Sequence, residues 1–285
     1  MLNIKEVKVL PFNLDFMEVV WEISNTSEDV LDYDFYVLRS ESEEGPFSTI
    51  AGPLVDQYRI RDSSVLSISS HRLYYYKIEV KNRITGEEKT FGPFDVEGTP
   101  NLIALEMIRR ENAILLPEFA GTKFWVFPRK TFGQRCPNCY DEILQKKTSE
   151  RCTTCWGTSF SGGYHFPIEF WGQMDMGQQQ EQVTFEDHKQ PKSARIRLGP
   201  SPGVKPMDLV VDYKNFRYKV LNVSGTSLNG VAVRQDLQVV QLERGCIEDK
   251  IPLKLPSTDF VPKRNFENAQ TADSFTLNVL KQYGY

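Results

Sequence analysis

Four cysteines fall in two C-x-x-C turns, Cys136-Pro-Asn-Cys139 and Cys152-Thr-Thr-Cys155, with twelve residues between the turns. Each turn aims two thiolates at one point. Two such turns joined by a short hairpin build the four-sulfur tetrahedral shell that zinc prefers. The spacing predicts one structural zinc ion held by Cys136, Cys139, Cys152 and Cys155. A shell filled by four thiolates leaves no open position for catalysis. The competing use of these residues is two disulfides or free thiols. The opening residues Met1-Leu2-Asn3-Ile4-Lys5 lack the apolar core of a secretion signal, so an oxidising compartment is not expected. The fifth cysteine, Cys246, stands alone in Glu243-Arg244-Gly245-Cys246-Ile247 and reads as a small, partly buried apolar side chain.

A chain of 285 residues suits about two domains. Its net charge of -4 argues against a surface that grips nucleic acid all round. The charge is uneven. Residues 1–100 hold 10 Lys and Arg against 18 Asp and Glu, whereas residues 121–155 hold 7 against 3. The basic stretch coincides with the cysteine turns, and such a stretch either touches an acidic partner or is a solvated face. No apolar run approaches the length of a membrane span, and no membrane partner is expected.

The fold class expected is mainly β. Residues 1–98 read as a β-sandwich: Val19, Trp21 and Ile23 share one face of a strand, Tyr33–Ser40 and Tyr74–Val80 form two more, and Glu44-Gly45-Pro46 and Asn82–Gly86 supply turns. This segment resembles a fibronectin type III module. The resemblance rests on Trp21, on Tyr36-Val37-Leu38-Arg39-Ser40 followed by Gly45-Pro46-Phe47, on Arg61-Asp62, and on Tyr74–Val80 followed by Thr85-Gly86-Glu87. It implies that Trp21 is the core tryptophan, that Tyr74 or Tyr76 is the corner tyrosine, and that the module presents or places other parts.

Residues 99–122 read as a helical linker, amphipathic through Leu102, Leu105 and Ile108 and capped by Thr99-Pro100. Residues 123–165 form the zinc module, entered by the aromatic strand Lys123–Pro128. Residues 166–248 read as a small β-barrel, with strands from Pro167, at Ser193–Leu198, Asp208–Asp212, Arg217–Val223 and Val231–Leu242, and a hairpin turn at Asn229-Gly230. A Gln-rich loop runs through Gly177–Gln182. Residues 249–285 carry Pro252, Pro256, Pro262 and scattered aromatics without sustained periodicity, and read as an extended arm. That arm docks either on a neighbouring chain or back on its own barrel.

Catalytic constellations are missing from the sequence: there is no glycine-rich phosphate loop, no Gly-x-Ser-x-Gly elbow and no His-Glu-x-x-His. His71, His165 and His188 fall in separate loops. Glu186-Asp187-His188 reads as a hydrated loop, and His165, beside the cysteine turns, is superfluous to a shell of four thiolates. The expectation is a protein that is not an enzyme.

The run Gly203–Asp212, then Tyr218-Lys219-Val220-Leu221-Asn222-Val223, then Gly230-Val231 and Arg234–Val240, is similar to the small barrel of tailed-phage head-closure, or head–tail joining, proteins. The resemblance covers about 80 residues. It implies a virion protein at the head–tail neck, assembled in the host cytoplasm. It implies a homo-oligomeric ring, with portal, adaptor or tail proteins as neighbours and DNA passing through the channel. The sandwich and zinc module are additions to that family's minimal form. Two other readings compete: a zinc-ribbon nucleic-acid-binding or transcription-related factor, supported by Arg129, Lys130, Arg135, Lys146 and Lys147, and a tail or baseplate adaptor.

Overall fold

The computed structural model describes residues 2–11, 16–64, 74–96, 102–116, 119–175, 193–228, 231–243 and 245–251. The chain is mainly β, and the first seven strands form two sheets. Strands β1 (Ile4–Pro11), β2 (Met17–Ile23) and β5 (Arg59–Asp62) pair in the order β1-β2-β5. Strands β3 (Tyr33–Ser40), β4 (Ser48–Leu54), β6 (Tyr75–Asn82) and β7 (Glu88–Phe94) pair as β4-β3-β6-β7. Alternate side chains point to opposite faces of a strand, so one row from each strand meets in the interior. Val19, Trp21 and Ile23 of β2 lie there, with Phe35 and Val37 of β3 and Ile78 and Val80 of β6. Trp21 packs against Phe35 with ring centroids 5.9 Å apart. Prolines fall on the two edges of the four-stranded sheet, Pro53 in β4 and Pro93 in β7, where a missing ladder donor costs least.

Two charged groups are built into this sandwich. Asp62 accepts from Arg39 Nη1 at 2.7 Å and from the Tyr76 hydroxyl at 3.0 Å. Burial pushes the Asp62 carboxyl up, but the bonds from Ser64 and Arg39 outweigh it and hold the group below its ordinary value. Glu18 is buried on β2 and pairs with Arg59 of β5 at 2.8 Å. Of the two corner candidates, Tyr76 is the one whose hydroxyl is bonded at depth.

Helix α1 (Leu102–Ile114) follows. It is docked rather than free: Ala104 and Ile108 pack on Val231 and Val233, and Glu111 accepts from Arg197 Nε at 2.9 Å. Ile103 and Met107 face outward.

The remaining strands are β8 (Thr122–Phe127), the short pair β9 (Tyr140–Asp141) and β10 (Lys146–Lys147), then β11 (Ile168–Asp175), β12 (Ser193–Leu198), β13 (Leu209–Asp212), β14 (Arg217–Leu228) and β15 (Val231–Gln241). Six of them close a barrel in the order β11-β12-β15-β14-β13-β8, all neighbours antiparallel. Phe124, Phe170, Ile196, Leu198, Val220 and Leu237 fill its interior, Phe124 and Phe170 stacked at 5.5 Å. Closure pairs both sides of every strand along the barrel wall, and leaves a free edge on β14 beyond Lys219.

One boundary differs from the expectation. Lys123–Phe127, assigned from the sequence to the zinc module, lies in β8, a stave of the barrel that pairs with β11 on one side and β13 on the other. The cysteine module is therefore the long connection, residues 128–167, of a barrel hairpin. Aromatic alternation in β8 announces a strand but not its sheet.

Beyond Lys219, β14 pairs only with β15, and beyond Gly225 and Gln235 the tip of this hairpin extends past the other barrel strands. Its outer strand is polar and exposed at Asn222, Ser224, Gly225 and Thr226, and α1 backs its tip. Among the described residues no helix is long and apolar enough to cross a membrane. His71, His188, Thr99-Pro100, the Gln-rich loop, Asn229-Gly230 and the arm from Pro252 onward lie outside the described residues.

Candidate metal centre

The cysteine module is assembled by local hydrogen bonds around two tight turns. At the first, Tyr140 N–H donates to Cys136 O at 3.1 Å; at the second, Trp156 N–H donates to Cys152 O at 2.9 Å. Asp141 accepts from the N–H groups of Ile143 and Leu144 at 2.9 and 3.0 Å, which turns the chain from β9 into β10. Thr148 N–H then returns to Cys139 O at 2.8 Å, bringing the second pair of cysteines back over the first. Gly163 seals the base. Its φ is +71°, and a Cβ there would stand 2.7 Å from Cys155 O, so only glycine fits. Arg135 is sandwiched between Tyr140 and Phe160, 4.5 and 4.4 Å from their ring centres.

The result is a cluster. The four sulfurs of Cys136, Cys139, Cys152 and Cys155 all lie within 4.8 Å of one another. Cys136 and Cys152 are 3.8 Å apart and Cys139 and Cys155 3.3 Å, well beyond the ~2.05 Å of a disulfide bond. Cys136, Cys139 and Cys155 are buried. The four residues predicted from spacing are thus brought together, in a form that can hold a metal ion.

Electrostatics favour a thiolate at Cys152. Burial pushes its thiol up, but the backbone N–H groups of Cys155 and Thr154 and the neighbouring thiols outweigh it and bring the metal-free thiol down to about 6. Burial pushes the Cys136 and Cys139 thiols up, so in the absence of metal the cluster keeps some of its protons. A metal displaces those protons, and affinity falls with pH accordingly.

His165 is not part of this cluster. It packs against Tyr58 and Phe132, ring centres 5.5 and 5.3 Å away. Burial, with the charges of Lys130, Arg59 and Lys205 behind it, pushes the imidazole down to about 3. Cys246 is partly buried, as its setting suggested, and burial pushes its thiol up.

Three groups bind the module to its surroundings through contacts that the sequence did not signal. Lys130 Nζ pairs with Asp56 of the sandwich at 2.8 Å, and both side chains are largely buried. Asp208 accepts from the backbone N–H of Arg129 at 2.8 Å and of Lys205 at 2.7 Å. Thr26 N–H donates to Gly133 O at 3.2 Å. No local sequence signal announces contacts between residues 74 and 79 positions apart, as the Lys130 and Asp208 bonds are. No protein-family model matches the chain, and no curated protein matches it.

Proposed function

We propose that this chain is a structural protein of a tailed-phage particle, placed at the head–tail neck and assembled as a ring, with zinc in its cysteine cluster. The observation that carries the reading is the closed barrel with a polar hairpin standing beyond it. In a ring, residues 221–228 of β14 offer a neighbour exposed backbone and short hydrogen-bonding side chains. The strand pattern that underlay the resemblance, from Pro206 and Asp208 into β13 and then Tyr218 in β14, runs through the barrel wall. The three- and four-stranded sheets of the sandwich agree with a fibronectin type III-like module that presents the particle's outer surface.

Zinc is the metal that suits the cluster. Four metal–sulfur bonds of about 2.3 Å in a tetrahedron place the sulfurs roughly 3.8 Å apart; here Cys136–Cys152 is 3.8 Å, Cys139–Cys155 is 3.3 Å, and all four lie within 4.8 Å of one another. A thiolate shell selects zinc or iron over harder ions. Its role is to hold a module too small to bury a core of its own.

The buried charges near the module work as struts. Lys130 is paired at depth with Asp56, and Arg135 is stacked between two rings. Of the basic residues that supported a nucleic-acid-binding factor, Lys146 and Lys147 remain exposed on β10. That favours a protein partner over a phosphate backbone. Removing the gene from the parent phage tests the placement. A neck protein's loss leaves filled heads and separate tails; infectious, fully joined particles without it would refute the proposal.

A further inference from the structure

The hairpin of β9 and β10 ends in the turn Glu142-Ile143-Leu144-Gln145. Ile143 is 93% exposed, the most exposed large apolar side chain among the described residues, and Leu144 beside it is 59% exposed. Turns ordinarily carry Gly, Asn, Asp, Ser or Pro. Nothing in this turn demands an apolar pair, because Asp141 closes it by accepting from the backbone N–H groups of both residues. The cysteine cluster and the bond from Thr148 N–H to Cys139 O hold the hairpin from behind. The module is thus a stiff stalk with an apolar tip. A stiff tip loses little freedom on docking, so its apolar area counts nearly in full toward binding.

A mostly apolar cavity of about 190 Å³ lies at the base of the same module, where it meets the sandwich and the barrel. Tyr58, Phe132 and His165 form an aromatic wall, with Tyr58 meeting Phe132 at 5.0 Å and His165 at 5.5 Å. Phe166 also lines the cavity and is 66% exposed, so the cavity opens to the surface. A cavity of about 150 Å³ takes up benzene, and this one has room for a leucine or isoleucine side chain. Charge matches as well as size. Arg129 lines the cavity and donates to Gly157 O at 3.4 Å, but has no carboxylate partner among the described residues. Glu142, exposed beside the tip, has no cationic partner among the described residues.

We propose, resting on the ring reading, that the Ile143–Leu144 tip of one copy seats in this cavity of the next copy, with Glu142 facing Arg129. Within one chain the two surfaces stand apart: Ile143 is open to solvent and is not among the cavity's walls. A protrusion and a pocket on different parts of one surface make a head-to-tail contact, which closes into a ring or runs on as a filament. An apolar anchor seated in a desolvated pocket is the kind of contact that carries most of an interface's binding energy. The metal then has a second task, to stiffen the stalk that carries the anchor.

Two variants separate the halves of the contact. Ile143→Asp with Leu144→Asp alters only exposed side chains. Gly203→Leu narrows the cavity, and a Cβ at that position meets only Arg59 Nη2, at an ordinary 3.6 Å. Metal content and circular dichroism are checked for every variant. In sedimentation velocity on the metal-loaded full chain, each variant is expected to need about tenfold more protein than the parent for half-assembly. Mixed in equal amounts, the two are expected to form dimers and nothing larger, because the tip of the Gly203→Leu chain still fits the cavity of the tip variant. Glu142→Arg is expected to weaken assembly about threefold, and Arg129→Glu in the same chain to restore most of that loss. A diazirine-bearing leucine analogue at position 144, in a mixture of isotope-labelled and unlabelled chains, is expected to link across copies to Phe132, Phe166 or their neighbours. Rings that form at the parent's concentration in either variant overturn the proposal and leave the ring reading standing. Links that fall outside the cavity, on a second copy or on another protein, do the same. A parent chain that never assembles overturns both.

Discussion

The buried carboxylate of Asp208 accepts the backbone N–H of Arg129 at 2.8 Å and that of Lys205 at 2.7 Å. One side chain thereby fixes both the point where the cysteine module leaves β8 and the loop that enters β13. Burial pushes the carboxyl up to about 6, although these bonds and the charges of Lys205 and Arg59 pull it down. Across the same cavity His165 is pushed the other way, down to about 3. The two groups give the fold opposing pH responses.

Between pH 7.5 and 5.5 these responses separate by mutation. His165 stays neutral when folded but takes a proton at about 6.5 when unfolded, so its contribution is present above 6.5 and is lost as pH falls. Asp208 behaves in reverse: around pH 6 the folded chain binds a proton that the unfolded chain does not, so stability falls as pH rises from about 4 to 6. In denaturant titrations, His165→Phe loses less stability than the parent chain on acidification over this window. Asp208→Asn loses more. Parallel curves for all three would show that neither group is buried as described.

Metal removal dissects the module. Chelation, or Cys152→Ser, exposes amides of residues 128–167 to hydrogen exchange, beginning with Thr148 N–H, which is bonded to Cys139 O. Strands β3 and β6 keep their protection because the sandwich has its own buried core. Elemental analysis of the parent chain gives one zinc per chain; no metal, or iron instead, contradicts the assignment.

The Lys130–Asp56 pair is a buried ionic tie between module and sandwich. Asp56→Ala leaves a lysine whose side chain is 9% exposed without its partner. Losing one member of a buried pair costs about 3–5 kcal/mol when burial is complete, and about 2–3 kcal/mol is expected here. Replacing both residues, Lys130→Met with Asp56→Leu, recovers most of that loss in a double-mutant cycle. A cost under about 0.5 kcal/mol for Asp56→Ala would place the pair in water.

How far the sequence carried this picture depended on the range of the interactions. The cysteine cluster was legible because two-residue spacings fix local turns, and Cys136 to Cys155 needed only one hairpin to meet. The sandwich was legible from alternation in Met17–Ile23 and Tyr33–Ser40. The strand at Lys123–Phe127 was visible but misassigned, because alternation does not say which partner a strand takes. The Asp56–Lys130 and Arg129–Asp208 contacts were invisible, since a lone Asp or Lys reads as a solvated charge until the fold buries it. The cavity they frame was missed for the same reason, and Tyr58 and His165 gave no local signal of meeting.

Nucleic-acid binding is expected to be weak and non-specific. Lys146, Lys147 and Arg151 are exposed on the module, and Lys147 already faces Glu150 at 3.3 Å. Three phosphate contacts give a slope of log affinity against log salt of about -3. A slope beyond about -5, or tight binding to one sequence at physiological salt, favours the zinc-ribbon factor instead.

The oligomeric state tests the central claim most directly. Native mass spectrometry of the zinc-loaded full chain, with electron microscopy of the same sample, is expected to show a closed ring of identical copies of the 32.9 kDa chain around a central channel. Charged substitutions on the exposed hairpin face, Ser224→Asp with Thr226→Lys, are expected to break the ring into folded monomers. A chain that stays monomeric at all concentrations, both alone and on purified phage heads, would contradict the account.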